Sequence, residues 1–240
     1  MQPVDSLKFD QHAIAQQLTL MQLGDSFFPS GSYTLSHGLE SLVQAQKVST
    51  PEEVEMFAQL LLCNKIGPTD VVALLHSHRA SAANQLSKLR EIEARLFAQT
   101  PIEKTRTMQR QSGRALLMVA YQTWPHSQLA DLQQLSAQNK FYCLHPIVFA
   151  TVAQVAGLNE QSAVVAFVHG FVTGLLGAAI RLGVLGHSQA QIIRQRLNDD
   201  MQRICQQART TDLEDMWSCA PLLDWAQMRQ AQLSRRLFAS

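Results

Sequence analysis

The sequence has few of the features that mark disordered, nucleic-acid-binding or charge-rich proteins. Only 16% of its 240 residues are charged, with 20 Lys and Arg against 19 Asp and Glu, and no basic block occurs. This low charge, combined with 46% apolar residues, excludes charge-driven disorder and predicts a chain with a real core. A formal net charge of +1 without clustered cations argues against binding to a phosphate backbone. The expected partners are proteins or small molecules.

Cysteine is also scarce, and the four cysteines lie far apart without forming a C-x-x-C pair. They are Cys63, Cys143, Cys205 and Cys219. The first six residues, Met1-Gln-Pro-Val-Asp-Ser6, have neither the basic nor the apolar region of a signal peptide. We therefore expect reduced cysteines and a cytoplasmic protein.

One stretch is long and apolar enough to raise the question of a membrane span. No charged residue occurs from Ala163 to Ile180. His169, Thr173 and three glycines dilute this stretch, and the mean hydropathy of the whole chain is only −0.06. A buried central helix is the favoured interpretation.

Helix start and stop signals recur along nearly the whole chain. Thr50-Pro51-Glu52-Glu53 has the pattern of an N-cap, a proline in the first turn and a capping glutamate. The same pattern at Thr100-Pro101-Ile102-Glu103 predicts a helix that runs to about Trp124. Gly67-Pro68 is expected to end the first of these helices. Further helices are predicted to begin near Asn84, Ser127, Pro146, Asn159, Ser188 and Pro221.

No segment shows the period-two alternation of a half-buried strand. The sequence therefore predicts an all-α protein with one domain of about ten helices that spans residues 1–240. Residues 1–11 are expected to be flexible. Residues 226–240 are expected to form a C-terminal tail that orders on partner binding.

Signatures of enzymes are missing. The sequence has no G-x-S-x-G elbow, no G-x-x-x-x-G-K-[ST] phosphate loop and no G-x-G-x-x-G fingerprint. His76 and His78 are two residues apart on a predicted helix, so their side chains diverge and cannot easily share a metal. We therefore predict no catalytic, cofactor-binding or metal-ligating residues. The alternative is a helical-bundle enzyme for a small molecule that uses Cys143 and His145.

Glycines interrupt the most apolar helix at regular spacing. Gly170, Gly174 and Gly177 place backbone without side chains on one stripe, where another helix can approach closely. Two interpretations remain open, a tight crossing in the core and a subunit interface. In either case leucine at Gly170 or Gly174 is expected to overfill the contact.

A Gly/Pro/Ser-rich loop at 24–33 contains two adjacent phenylalanines, Phe27 and Phe28. These rings either fold back on the core or, with the following helix start, form a docking surface. In the docking interpretation Gly31 and Gly38 allow close backbone approach and Tyr33 is an aromatic anchor. Glu40 then supplies a charge for pairing. The alternatives are a core position for Tyr33 and a solvated helix position for Glu40.

The stretch Pro29-Ser-Gly31-Ser-Tyr33-Thr-Leu-Ser36-His-Gly38-Leu-Glu40 resembles the opening signature of the UreF family of urease accessory proteins. That signature reads P-x-G-x-[YF]-[ST]-x-S-x-G-L-E. Four other segments are similar to family landmarks. They are Arg106 with Gly113-Arg114, His145-Pro-Ile-Val-Phe149, Ala179-Ile-Arg-Leu-Gly-Val-Leu-Gly186, and Ser234-Arg-Arg-Leu-Phe-Ala-Ser240.

The C-terminal segment departs from the family pattern. The family's His-Glu before S-R-L-F is absent, and an additional arginine follows Ser234, so either Arg235 or Arg236 matches the family arginine. His145 also directly precedes Pro146, where the family has an aromatic residue between them. These departures affect the tail contacts more than the fold.

The resemblance implies a non-catalytic, all-α, homodimeric protein that forms a complex with two other accessory proteins, UreD (also called UreH) and the GTPase UreG. That complex acts on apo-urease in GTP-dependent nickel insertion, so nickel and GTP are handled by the partners and this chain has no cofactor of its own. The residues expected to contact the GTPase are Pro29, Gly31, Tyr33, Ser36, Gly38 and Glu40. The tail residues expected to contact a partner are Arg235, Arg236, Leu237 and Phe238.

Overall fold

The computed structural model describes residues 10–25, 28, 35–230 and 237–238. Throughout these residues the chain is all-α and contains no β-strand, which confirms the predicted fold class. Twelve α-helical segments are present there, close to the expected ten. Their bounds are α1 Gln11–Gly24, α2 Leu39–Gln44, α3 Pro51–Leu61, α4 Val72–Ala82, α5 Leu86–Ala98, α6 Glu103–Thr123, α7 Ser127–Ala137, α8 His145–Val155, α9 Glu160–Arg181, α10 His187–Arg196, α11 Asn198–Thr210 and α12 Pro221–Gln230.

The predicted capping box at α3 is present. The Thr50 hydroxyl accepts a hydrogen bond from the Glu53 N–H at 3.3 Å, and the Glu53 carboxylate accepts one from the Thr50 N–H at 3.1 Å. The six further predicted helix starts lie within two residues of the observed ones. Local capping chemistry therefore places most helix starts in this chain.

The second predicted cap is wrong in detail. α6 begins at Glu103 after an extended Ile102, and Thr100 caps nothing there. The Thr100 hydroxyl instead donates to the Leu96 carbonyl at the end of α5, 2.9 Å away. Its carbonyl accepts from Nε of Arg106 at 2.6 Å. Thr100 thus links two helices, because local hydrogen bonds to the end of α5 and to Arg106 compete with capping of α6.

The expected helix end at Gly67-Pro68 is also wrong. The chain continues from α3 through a π-helical segment, Leu62–Val71, directly into α4. Proline has no N–H to bond the carbonyl four residues earlier, and here the Cys219 N–H donates to that Asn64 carbonyl at 3.1 Å. A second donor, the Trp217 N–H, bonds the Pro68 carbonyl at 3.3 Å. The segment before α12 therefore donates to two carbonyls of the π-helical segment, one of which the proline leaves without its helical donor.

The core is organised around α8, which packs mainly against α4 and α6. All eight residues from Pro146 to Ala153 are buried. α9 packs beside α1, α8 and α10. By length and composition α9 alone among the described helices could cross a membrane, but 56% of its most apolar window is buried inside the protein. This burial supports the expected central helix.

The aromatic pair of the loop at 24–33 is described only in part. Phe28 is buried and its ring stacks on Trp124, with 5.9 Å between ring centroids. It therefore folds back on the core, as the first of the two interpretations predicts. Phe27 lies outside the described residues.

Candidate partner-binding site

The start of α2 is joined to the C-terminal segment by a buried carboxylate. Glu40 is fully buried, and its side chain accepts hydrogen bonds from the backbone N–H groups of Leu237 at 2.6 Å and Phe238 at 3.3 Å. Phe238 is buried beneath the Arg181 guanidinium, which lies 4.6 Å from the centre of its ring. One acidic side chain thus fixes a segment almost 200 residues further along the chain.

α12 packs against the same part of α2. Gly38 has a left-handed backbone, with φ of 88°, and a Cβ there would lie 3.1 Å from Cβ of Ala226. The Ser41 hydroxyl donates to the Ala226 carbonyl at 2.7 Å. Only glycine combines this backbone conformation with such a close neighbour without strain. Gly38 thus serves a contact within the chain.

The structure brings together three of the residues expected to contact partners, Glu40, Leu237 and Phe238. Gly38 lies against α12 and Ser36 is buried, whereas Leu237 is 74% exposed and Phe238 is buried. The solvated position considered for Glu40 is wrong, because its carboxylate is occupied by backbone donors. The other predicted contact residues, Pro29, Gly31, Tyr33, Arg235 and Arg236, lie outside the described residues. The docking role of the whole set stays a prediction.

An exposed apolar surface continues from this junction along α12. Leu222, Trp225 and Met228 recur every three residues and project from one side of the helix, while Leu223 and Ala226 are buried on the other. The Arg229 guanidinium lies 5.1 Å from the centre of the Trp225 ring. We call this surface the α12 patch. Contiguous exposed apolar side chains are typical of interaction surfaces.

Two glycines of the α9 stripe face open space in the part of the chain that the structure describes. A Cβ built at Gly170 or Gly177 meets no atom within 4 Å. These two glycines and Gly174 line a partly open cavity of about 200 Å³. Among the described residues no helix packs tightly on Gly170 or Gly177, so the contacts there do not favour the core-packing interpretation. The subunit-interface interpretation remains a prediction.

The same cavity is lined by polar groups from four helices and a loop. They are Asp70, Gln109, Ser112, His145, Thr173 and His37. Burial raises the pKa of Asp70 to about 6, although the nearby Lys65 ammonium opposes this shift. Burial lowers the pKa values of His37 and His145 to about 4, so both imidazoles are neutral at pH 7. Sequence reasoning missed this cluster, because its members are spread over more than 130 positions of the chain.

Cys143 and His145 do not form one reactive site. His145 faces the cavity and its ring lies within 6 Å of the rings of Phe149 and Phe167. Cys143 is fully buried, and burial raises the pKa of its thiol, so the nucleophilic thiolate is disfavoured. The thiol is not among the groups that line the cavity. The geometry therefore does not favour the enzyme alternative.

The loop that contains Cys143 is held by a buried carboxylate that sequence reasoning missed. Glu93 on α5 accepts hydrogen bonds from the N–H groups of Tyr142 at 2.7 Å and Leu144 at 3.0 Å. Burial raises the pKa of Glu93 to about 7 despite these bonds. Across the loop, an added Cβ at Gly113 would lie only 1.9 Å from the Cys143 carbonyl oxygen. This contact explains the glycine of the Arg106…Gly113-Arg114 landmark.

Within the described part of the chain, no group of three or more His, Cys, Asp or Glu side chains could hold a metal ion. Those residues therefore offer no candidate for a nickel site. That the chain does not bind nickel tightly stays a prediction, which a binding measurement in solution tests.

Comparison with known proteins agrees with the resemblance noted in the sequence. The model of the UreF family matches residues 48–198. The urease accessory protein UreF of Trichodesmium erythraeum is 51% identical over 95% of this chain and 98% of that relative. UreF of Bacillus sp. (strain TB-90) is 28% identical over 93% of the chain and 98% of its own length. Urease accessory protein F of Oryza sativa subsp. japonica is 27% identical over the full chain and 90% of its own length. Because the family model matches more than half of the chain and these relatives align over nearly all of it, this chain belongs to the UreF family of urease accessory proteins.

Proposed function

We propose that this chain is a cytoplasmic, non-catalytic urease maturation protein. It forms a complex with UreD and the GTPase UreG on apo-urease, where nickel is inserted at the expense of GTP hydrolysis. The chain acts as scaffold or regulator of the GTPase and binds neither GTP nor nickel tightly by itself. Family membership over nearly the full length is the observation that carries this proposal.

The surface of the chain supports a docking role. The α12 patch exposes Leu222, Trp225 and Met228, and Leu237 is a further exposed apolar side chain at the junction with α2. Large aromatic and apolar side chains supply most of the binding energy at protein interfaces. An anchored C-terminal segment also lowers the entropic cost of presenting that surface.

The test is reconstitution from purified components. The chain is mixed with UreD, UreG and apo-urease, and the mixture is analysed by size-exclusion chromatography and then assayed for urease activity after addition of nickel, bicarbonate and GTP. We expect one complex that contains the chain, and activation that depends on its presence. Normal activation without the chain, or failure to comigrate with both accessory proteins, would contradict the proposal.

We also propose that the chain is a homodimer joined along α1 and α9. Met21 on α1 and Val165 on α9 are exposed apolar side chains that line one wide cleft of about 1250 Å³. Val165→Glu is expected to convert the dimer to a monomer in light scattering, because it places a charge in an apolar contact. Ile192→Glu, at an exposed position on α10, is the matched control. A wild-type chain that is monomeric at tens of micromolar would contradict the dimer.

A further inference from the structure

One side of α6 carries three arginines followed by two exposed apolar side chains. Arg106, Arg110, Arg114, Met118 and Tyr121 are spaced by four, four, four and three residues, so they lie along the same side of the helix. Met118 is 55% exposed and Tyr121 is 37% exposed. At 1.5 Å per residue this row is about 22 Å long. We call it the α6 stripe.

Aromatic rings lie against two of the three arginines of the stripe. The Arg106 guanidinium lies 4.2 Å from the centre of the Phe97 ring, and that ring stacks on Tyr142 with 4.2 Å between centroids. The Arg110 guanidinium lies 5.8 Å from the centre of the Tyr142 ring. The rings restrict both guanidinium groups before any ligand arrives, which lowers the entropic cost of binding.

Positive charge is concentrated here although the whole chain has a formal charge of only +1. α6 contains Lys104 and the three arginines of the stripe against a single acid, Glu103. Glu103 lies 3.6 Å from Arg106 and is largely exposed. The exposed Lys140 adds a further cation in the loop that contains Tyr142.

Two arginines of the stripe have no acidic partner in the part of the chain that the structure describes. None of the ion pairs within 4 Å there includes Arg110 or Arg114, and Arg110 interacts with Glu93 only at longer range. Glu93 is nearby, but its oxygens already accept backbone N–H groups of the loop. Arg114 is exposed and Arg110 is half-buried, so an incoming carboxylate can reach this side of the helix and form strong, charge-assisted hydrogen bonds with a guanidinium group there.

We propose that the α6 stripe binds an acidic segment of one of the protein partners, with carboxylates on Arg110 and Arg114 and an apolar side chain on Met118 and Tyr121. The apolar end favours a polypeptide over a nucleic acid, because a phosphate backbone would require more cations and no apolar contact. This inference rests on the proposed function in one respect, because it assumes that the partner is a protein of the urease maturation complex.

A photo-crosslinking experiment tests the stripe directly. Benzoyl-phenylalanine is incorporated at position 118 of the full chain, the complex with UreD and UreG is formed, and crosslinked peptides are sequenced by mass spectrometry. Ile192, which is exposed on α10, is the control position. We expect position 118 to crosslink to a partner peptide with at least two Asp or Glu residues near an apolar residue. Crosslinks only to peptides without acidic residues, or none in a complex that forms, would overturn the proposal.

Charge reversal supplies an independent test. Arg114→Glu is expected to raise the Kd of the crosslinked partner by roughly tenfold or more and to reduce its salt dependence, because a charge-assisted contact becomes a repulsion. Arg196→Glu makes the same change of net charge on α10 and is expected to change the Kd by less than about twofold. Equal effects of the two variants would overturn the inference. If the wild-type chain forms no complex, both the proposed function and the α6 stripe are rejected. If the complex forms and Arg114→Glu leaves its Kd unchanged, only the α6 stripe is rejected.

Discussion

Two glycine-to-alanine substitutions on long helices should change stability in opposite directions. Gly113 on α6 faces the backbone of the loop at Cys143, whereas Gly170 on α9 faces open space. Both residues lie inside helices, where alanine is intrinsically better than glycine by about 1 kcal/mol. The sign of each effect is therefore decided by what the new methyl group meets.

At Gly113 the methyl group would overlap the loop. Its carbon would lie 1.9 Å from the Cys143 carbonyl oxygen and 2.9 Å from the carbonyl carbon, so the loop must move by about 1 Å or more to restore ordinary contact. The loop cannot move freely, because Glu93 holds the N–H groups on both sides of Cys143. Overpacking costs about 1–3 kcal/mol and loss of a hydrogen bond to the carboxylate costs about 1.5–3 kcal/mol. After the helix gain, we expect a net loss of about 3 kcal/mol.

The measurement is thermal and urea unfolding of both variants beside the wild type. For a chain of this size 1 kcal/mol corresponds to roughly 2–4 °C in Tm, so Gly113→Ala should lower Tm by about 6–12 °C. Gly170→Ala should raise Tm by about 1–4 °C. A Gly113→Ala variant that melts within about 2 °C of the wild type would refute the close approach. A clear loss of stability in Gly170→Ala would show that another surface packs on α9 at this glycine. If the loss disappeared when the protein was diluted, that surface would belong to a second copy of the chain.

Three further substitutions test individual contacts. Thr50→Ala removes the α3 cap and should cost about 1 kcal/mol, measured as a fall of roughly 2–4 °C in Tm. Glu40→Ala should accelerate hydrogen exchange at the amides of Leu237 and Phe238 by about tenfold or more, because those N–H groups lose a charged acceptor, while unchanged exchange would mean that the segment is held by other contacts. Burial raises the pKa of Glu93 to about 7, above its unfolded value near 4.5, so the folded state favours the protonated carboxyl. The stability that this preference contributes is fully present below about pH 4.5 and is lost as the pH rises through 7. The destabilisation caused by Glu93→Gln should therefore shrink by up to about 3 kcal/mol between pH 5 and pH 9 in urea unfolding, and a constant difference would contradict the raised pKa.

The sequence alone was sufficient for the fold class, most helix starts and the family. Helix periodicity and caps depend on residues three or four apart, so the Thr50 and Glu53 pair is visible without a structure. The family landmarks are likewise local strings. Prediction failed where a similar local pattern had another available partner. Thr100 bonds the end of the preceding helix instead of capping the next one. Pro68 stays within a continuous helical segment because the N–H of Cys219, about 150 residues away, replaces the donor that proline lacks.

Only the tertiary structure decided which groups meet across the chain. Glu40 is an ordinary helix-start glutamate in the sequence, yet it is fully buried by a backbone segment almost 200 residues away. The glycines of α9 have the spacing of a helix crossing, but the facing space is a cavity lined with polar groups. Arg110 lies beside the Tyr142 ring only because packing brings α6 and the loop before α8 together. Such pairings depend on the relative placement of whole helices, which is set by the summed packing of the core, and no local pattern of three or four residues encodes them.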